Sequence, residues 1–298
     1  EIHERLVGSE MCIRDRLKIV FWGEDSFSDI VLNSLLEAGY HVCAVITPFY
    51  DNLIYKRLEM TCKKKKVFFL RCKDVNGAEV CEYVKLLVPD LCIVAHFEKL
   101  ISPELLTIPS LGFINLHPSL LPYYRGMAPQ HWPIINGDEE SGITVHFIDE
   151  GVDTGDIILQ KHIPLHSDTY VSDLQNEWRK LYRTVILEAI ENILNGARFF
   201  RQKHLAGSYY GKLKRRYCHI DEKGECLQAY RLIRGVSMPY CGADYNGMII
   251  WRAHPLMQES EILMRHYPEL GMYWNTNRGH LLRFYDGILC IDKFNQEI

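Results

Sequence analysis

The sequence predicts an α/β chain built on a mostly parallel sheet, with a smaller, partly β-barrel region at its C-terminal end. Three observations carry this reading. From Leu17 onward, short β-branched and aromatic runs alternate with amphipathic stretches, the pattern of strands joined by crossover helices. After about Leu205 the texture changes to short strand-like runs separated by turn residues, with one helical stretch among them. The chain has 298 residues, which suits two units of roughly 150 residues, or one large unit with an appendage.

Each element follows from its residues. The first strand is "LKIVFWG" (17–23), and Phe27–Ala38 then repeats apolar residues at helical spacing. "HVCAVIT" (41–47) precedes a helix from Tyr55 to Lys65, "VFFL" (67–70) precedes a helix over Ala78–Leu87, and "DLCIVAH" (90–96) is the next strand. The turn "FWGEDSF" lacks G-x-G-x-x-G, so this Rossmann-like layout carries no dinucleotide expectation. "GFINLHPS" (112–119) places Phe113, Asn115 and His117 on one face and Ile114 and Leu116 on the other. Pro118 and the turn-rich "PSLLPYYRG" end it, leaving His117 at a strand-to-loop edge. "GITVHFID" (142–149) and "DIILQKHIPL" (156–165) read as further strands, with "EGVDTG" (150–155) between them on a Gly-flanked turn. Val171–Asn195 reads as a long amphipathic helix ended by Gly196. Beyond it come "GSYYGKLKRRY" (207–217), a helix-like "CLQAYRLIRGVSMPY" (226–240), and the strands "GMIIWRAH" (247–254) and "GILCIDKF" (287–294).

Asn115, His117 and Asp153 are the residues with chemistry to offer. An amide donor, an imidazole and a carboxylate gathered at one strand edge can run acyl transfer. The imidazole moves a proton near neutrality, the amide donates to a developing oxyanion, and the carboxylate orients or charges the imidazole. Each residue taken alone has a blander use: His117 as a hydrogen-bonded structural histidine, Asp153 as a turn former, Asn115 as a cap for backbone groups at a strand end. His96, His131 and His146 are read as structural or rim residues.

Those residues sit in a longer pattern. "INLHPSLLPYYRG" (114–126), with Asp153 in "VDTGD" further along, resembles the formyltransferases that use 10-formyltetrahydrofolate, and the similarity runs from about Leu17 to about His204. The resemblance implies Asn115 and His117 around the formyl group, with Asp153 close to His117. It implies that an amine attacks the formyl carbon of 10-formyltetrahydrofolate, giving an N-formyl product and tetrahydrofolate. It also implies a folate neighbourhood along "AHFEKLIS", comprising His96, Phe97, Glu98, Lys99 and Leu100, joined by Asp149, Gly151 and Val152 of the aspartate loop. Arg125 and Gly126 are expected at the acceptor substrate, because a guanidinium fork suits phosphate or carboxylate; the alternative is an arginine that pins its loop through carbonyls. "LIRGVSMPYCGADY" (232–245) with "IIWRAHPL" (249–256) resembles the start of the C-terminal region of methionyl-tRNA and amino-sugar formyltransferases, where an OB-like partial barrel is expected. The expected domains are therefore a non-native leader at 1–16, a catalytic domain at 17–204 and a smaller domain at 205–298.

Composition limits the rest. Hydrophobic residues make up 47% and charged residues 24%, and no apolar run approaches the roughly 20 residues that span a bilayer, so no membrane role is expected. The net charge of −4 does not favour nucleic acid as a general partner. The runs "CKKKK" (62–66) and "KLKRRY" (212–217) read as solvated surface. Ten cysteines without a C-x-x-C pair read as reduced core residues of a cytoplasmic protein, and thirteen histidines without H-E-x-x-H spacing predict no metal; His162 and His166 are four apart, but Pro164 between them argues against a helical ligand pair. The stretch "EIHERLVGSEMCIRDR" (1–16) is charged and non-periodic, and is set aside as a leader.

The acceptor divides the family. Methionyl-tRNA formyltransferases resemble this chain in layout but carry a basic, Gly-rich insertion after the second strand, where "TPFYDNLIYKRLEM" (47–60) stands here with only Lys56 and Arg57. The first expectation is a nucleotide-linked amino sugar, of the UDP- or dTDP-4-amino-sugar kind, and the second is methionyl-tRNA. A homodimer is the expected assembly if the chain self-associates. Two other classes are weighed: a hydrolase that discharges 10-formyltetrahydrofolate to water, and a non-catalytic folate- or nucleotide-binding module.

Overall fold

The computed structural model describes residues 16–50, 53–202, 207–256 and 260–296. The leader, but for Arg16, and the boundary expected between residues 204 and 205 lie outside the described residues.

The parallel sheet is present. In chain order its first strands are β1 (Lys18–Gly23), β2 (His41–Pro48), β3 (Phe68–Cys72), β4 (Leu91–Ala95) and β5 (Phe113–His117). A two-residue β6 (Arg125–Gly126) precedes β7 (Glu140–Phe147) and β8 (Ile157–Pro164). The seven-stranded order is β3-β2-β1-β4-β5-β7-β8. β1, β2, β3, β4 and β5 pair in parallel, and β7 runs antiparallel to β5. Strands buried on both faces need apolar side chains on both, and β1 and β4 supply them in unbroken runs.

Helices α1 (Ser26–Glu37), α2 (Lys56–Lys65) and α3 (Ala78–Leu87) follow β1, β2 and β3. α1 begins where Asp25 accepts from the amides of Phe27 and Ser28 while Ser28 returns a bond to the Asp25 amide, a capping box. α2 ends on three lysines in its last turn, which suit the negative end of the helix dipole. α3 lays Val80, Cys81 and Val84 onto Val20, Trp22, Val94 and Phe113. Two short helices that the sequence did not announce, α4 (Pro103–Leu106) and α5 (Trp132–Asn136), punctuate the loops. The long α6 (Val171–Leu194) stops one residue before its expected end, with Gly196 at φ +65° just beyond.

The rest of the chain forms β9 (Tyr209–Tyr210), which pairs with β6, then α7 (Cys226–Val236) and an antiparallel sheet of β10 (Ala243–Tyr245), β11 (Met248–Pro255), β12 (Gly271–Thr276), β13 (Gly279–Arg283) and β14 (Ile288–Gln296). Helix α8 (Ser260–His266) lies between β11 and β12 in sequence. The sheet order is β10-β11-β14-β13-β12. α7 buries Ala229, Tyr230 and Ile233 with Ile250, Leu282, Phe284 and Leu289 of this unit.

Two compact units result. One takes the chain up to Arg125 with Gly142–His162 and Trp178–Tyr209; the other takes Gly126–Ser141, Ile163–Glu177 and the chain from Tyr210 onward. No helix among the described residues is long and apolar enough to cross a membrane.

Candidate active site

The register of β5 against β7 builds the site. Antiparallel pairing sets Asn115 opposite His146 and His117 opposite Thr144, and side chains directly opposite one another share a face. Thr144 secures the loop that leaves β5: its hydroxyl donates to Ser119 O (2.7 Å) and accepts from Leu121 N (3.1 Å). Ser119 in turn donates to Tyr123 O at 2.8 Å. The loop so held presents the carbonyl of Tyr124 to His117 Nε2 at 2.9 Å. A carbonyl can only accept, so Nε2 carries the proton in the neutral ring and Nδ1 keeps the free lone pair.

Asp153 reaches this face from the loop after β7. Its backbone is left-handed, at φ +54°, a conformation that aspartate tolerates better than most residues. Arg125 Nε and Gln202 Nε2 both donate to Asp153 O, at 3.2 and 2.9 Å. Gln202 Nε2 also donates to Gly155 O at 2.7 Å, and Gln202 Oε1 accepts from Arg125 Nη2 at 2.8 Å. At Gly155 an added Cβ would collide with the carbonyl of Phe147, so glycine allows the loop to lie against the end of β7. Asp149 closes the loop from within, accepting from Gly151 N at 3.0 Å and the Thr154 hydroxyl at 2.6 Å.

The carboxylate thus held faces three groups. Asp153 Oδ1 is 3.6 Å from His117 Nδ1, 3.6 Å from His146 Nε2 and 3.5 Å from Asn115 Nδ2. His146 donates from Nδ1 to Phe147 O at 2.7 Å, which leaves Nε2 to accept from Asn115 Nδ2 at 3.3 Å. His117 is 4% exposed. Burial lowers its pKa, and Asp153 and the Tyr124 carbonyl pull it partly back up. The result is a neutral imidazole with an unprotonated Nδ1 turned toward a carboxylate, the arrangement of a base whose protonated form has a counter-charge waiting.

The expected folate segment begins at the carboxyl end of β4, beside β1, where the sheet order reverses and open α/β sheets receive ligands. His96, at φ +48°, is fixed by Asp25 (3.3 Å), by the Tyr182 hydroxyl (2.9 Å) and by Phe27, whose ring stacks on it at 4.7 Å. Phe97 packs edge-on against Trp22. The Glu98 amide donates to Glu24 Oε1 at 2.7 Å, while Tyr50 donates to the other carboxyl oxygen at 3.1 Å. Burial pushes Glu24 up to about 7 against those hydrogen bonds. Lys99 and Leu100 are exposed.

The structure brings Asn115, His117 and Asp153 together, and it shows Arg125 fastening the aspartate loop, with its guanidinium on a backbone carbonyl and Gln202. Gly126, at φ +97°, lies in the short ribbon with β9. Gly151 is exposed and Val152 half-buried in the closed loop. His146, read from sequence as structural, stands as a fourth member of the cluster; the β5–β7 register is the signal that finds it. His131 is a buried structural histidine that contacts Gly235 O at 2.7 Å, with burial pushing it down to about 4. One group of possible metal ligands occurs among the described residues, the largely exposed His254, Cys290 and Asp292 far along the chain, where His254 Nδ1 is already 3.0 Å from both Asp292 oxygens.

Comparison with known proteins places the chain among relatives of one family. Residues 17–190 match the model of the formyl transferase family. A methionyl-tRNA formyltransferase from Caldanaerobacter subterraneus subsp. tengcongensis is 34% identical over 248 residues, covering 80% of each chain. Among solved structures, WlaRD, a sugar 3N-formyl transferase studied with dTDP and 5-N-formyl-THF, aligns over 95% of this chain and 99% of its own, with a TM-score of 0.72 at 20% identity. An N-formyltransferase from Helicobacter canadensis in complex with folinic acid and dTDP-3-aminofucose aligns over 94% and 100%, with a TM-score of 0.73 at 20% identity. At that identity the two structures speak for the fold.

Proposed function

We infer the reaction from one premise: the chain belongs to the formyl transferase family, and is therefore a formyltransferase. The donor is 10-formyltetrahydrofolate, and the acceptor is the primary amine of a nucleotide-linked amino sugar, of the UDP- or dTDP-4-amino-sugar kind. The convergence of Asn115 and His117 on Asp153 carries the chemical part of this reading. The neutral amine attacks the formyl carbon, and Asn115 Nδ2 donates to the oxygen as it gains charge. His117 Nδ1 takes the amine proton, with Asp153 stabilising the imidazolium, and passes it to N10 of the folate as the carbon–nitrogen bond to the carrier breaks. His96–Leu100 and the Asp149–Val152 loop border the folate in this reading, and the reaction runs in the cytoplasm without a metal.

The acceptor reading rests on the passage from β2 to α2. It consists of Phe49 to Tyr55 and contains neither lysine nor arginine, so no basic arm stands there to follow a nucleic-acid backbone. A second reading, methionyl-tRNA as the acceptor, is favoured by the 34% identity to a methionyl-tRNA formyltransferase. A screen of UDP- and dTDP-linked amino sugars against methionyl-tRNA, followed by the absorbance change on tetrahydrofolate release, separates the two. Release that depends on tRNA and ignores the amino sugars would sink the first reading, and release without any amine would indicate a hydrolase.

A further inference from the structure

We propose that Cys218 and Cys241 form a reversible dithiol–disulfide couple, oxidised by low-molecular-weight disulfides, that fastens the turn after α7 to the segment beside β10. The proposal is independent of the acceptor and of the formyl chemistry. The two Sγ atoms are 3.4 Å apart with no atom needed between them. A disulfide bond is about 2.04 Å long, so closure asks for roughly 1.4 Å of approach, within reach of side-chain rotation when the two sulfurs already touch.

The backbone on both sides is ordered by hydrogen bonds. Cys218 O accepts from Asp244 N (2.8 Å), and Ile220 N donates to Asp244 O (2.7 Å), so 218–220 runs alongside β10. The turn carrying Cys241 is closed by Tyr240 N to Ser237 O (3.0 Å) and Gly242 N to Val236 O (2.8 Å). These contacts hold the sulfurs in register instead of leaving their encounter to chance. Cys218 Sγ also donates to Lys214 O at 3.8 Å, a longer contact than the one it accepts from Cys241 Sγ.

The pair is also asymmetric in the way exchange chemistry uses. Cys241 is exposed and Cys218 is fully buried. Burial, with the neighbouring Cys241 sulfur, pushes the Cys218 thiol up to about 12, so Cys241 is the thiol that meets an oxidant first. Its thiolate attacks one sulfur of a small disulfide RSSR and expels RS−, leaving a mixed disulfide on Cys241. Cys218 then gives up its proton and attacks Cys241 Sγ, expelling the second RS−. The balance is two protein thiols plus RSSR to one protein disulfide plus two RSH. The link closes a loop that contains α7, and tethers the turn whose Tyr240 packs edge-on against His131 at 4.3 Å and accepts from Gln175 at 2.6 Å.

The test equilibrates the reduced full-length chain in glutathione buffers of rising oxidised fraction, quenches with acid, alkylates, and reads the peptides by mass. The expected product is a Cys218–Cys241 link lacking two hydrogens and reversed by dithiothreitol, with a thermal midpoint a few degrees above that of the reduced protein. Cys241→Ser, a change at an exposed position, removes the link and makes the midpoint insensitive to the buffer. A persistent glutathione adduct on Cys241 beside a free Cys218, two free thiols in fully oxidised buffer, a link that forms only in denaturant, or a lower midpoint in the linked form would each overturn the proposal.

Discussion

The imidazole of His117 turns its Nδ1 toward Oδ1 of Asp153 across 3.6 Å. That separation is longer than a formed hydrogen bond, and it is what a lone pair and an anion adopt before a proton arrives. Asp153→Asn removes the counter-charge and leaves the burial that already lowers the pKa of His117. The apparent pKa of the rising limb of kcat/KM against pH therefore moves to lower pH, and the plateau rate falls about a hundredfold or more. A limb that stays in place would show that Asp153 does not act on His117.

His117→Ala removes the base. Turnover should fall by about two to four orders of magnitude, while binding of a stable formyl-folate analogue, followed by fluorescence, changes little. Full activity in this variant would end the assignment of His117.

Arg125→Ala tests whether the guanidinium serves the loop or the substrate. It strips a donor from Asp153 O and leaves Gln202 Oε1 buried without its partner, so unfolding in denaturant without substrate should show a loss of about 2–4 kcal/mol. Unchanged stability with a raised KM for the amino-sugar nucleotide would place Arg125 on the substrate instead.

Glu24 gives stability a pH dependence. Its folded pKa is about 7, against 4.5 for an ordinary glutamate, so the folded chain binds more protons than the unfolded chain in that interval. This contribution is fully present below pH 4.5 and is lost as pH rises through 7, a change on the order of 3 kcal/mol at most. Glu24→Gln keeps an acceptor for the Glu98 amide and cannot ionise. Denaturation midpoints should match wild type near pH 4.5 and exceed it at pH 8.

Gly155→Ala sets a methyl group against the carbonyl of Phe147. The loop must shift to admit it, so kcat should fall at least tenfold with a stability cost of about 1–3 kcal/mol. Wild-type kcat in this variant would show that the placement of Asp153 tolerates movement of its loop.

Much of this was legible in the chain. The apolar runs at Lys18–Gly23 and Leu91–Ala95 could only be interior strands, and the alternation through Phe113–His117 already aligned Asn115 with His117. The place of His146 beside Asn115 was not legible because nothing local fixes which residue of β7 faces which residue of β5; an antiparallel register is a long-range fact, and a slip of one residue would have turned His146 away. Gln202 gave no sign at all, since its work is to accept from one distant side chain and donate to two backbone carbonyls. β6 and β9 are two residues each, too short for any periodicity to show. The helix expected to run on toward Tyr240 stops at Val236, because Ser237 turns to extended backbone ahead of Met238 and Pro239.

The antiparallel β7 spares the chain a crossover helix between Asn115 and Asp153. Amide, both imidazoles and carboxylate therefore come from one span of the chain, residues 115–153, although Gly126–Ser141 within it belongs to the other unit, and the loop-closure entropy spent in gathering them is modest. Such a local cassette, pinned from outside by Gln202, can persist unaltered while the surroundings that select an amine are rebuilt, so a shared chemistry and a divergent choice of acceptor are natural companions in one architecture.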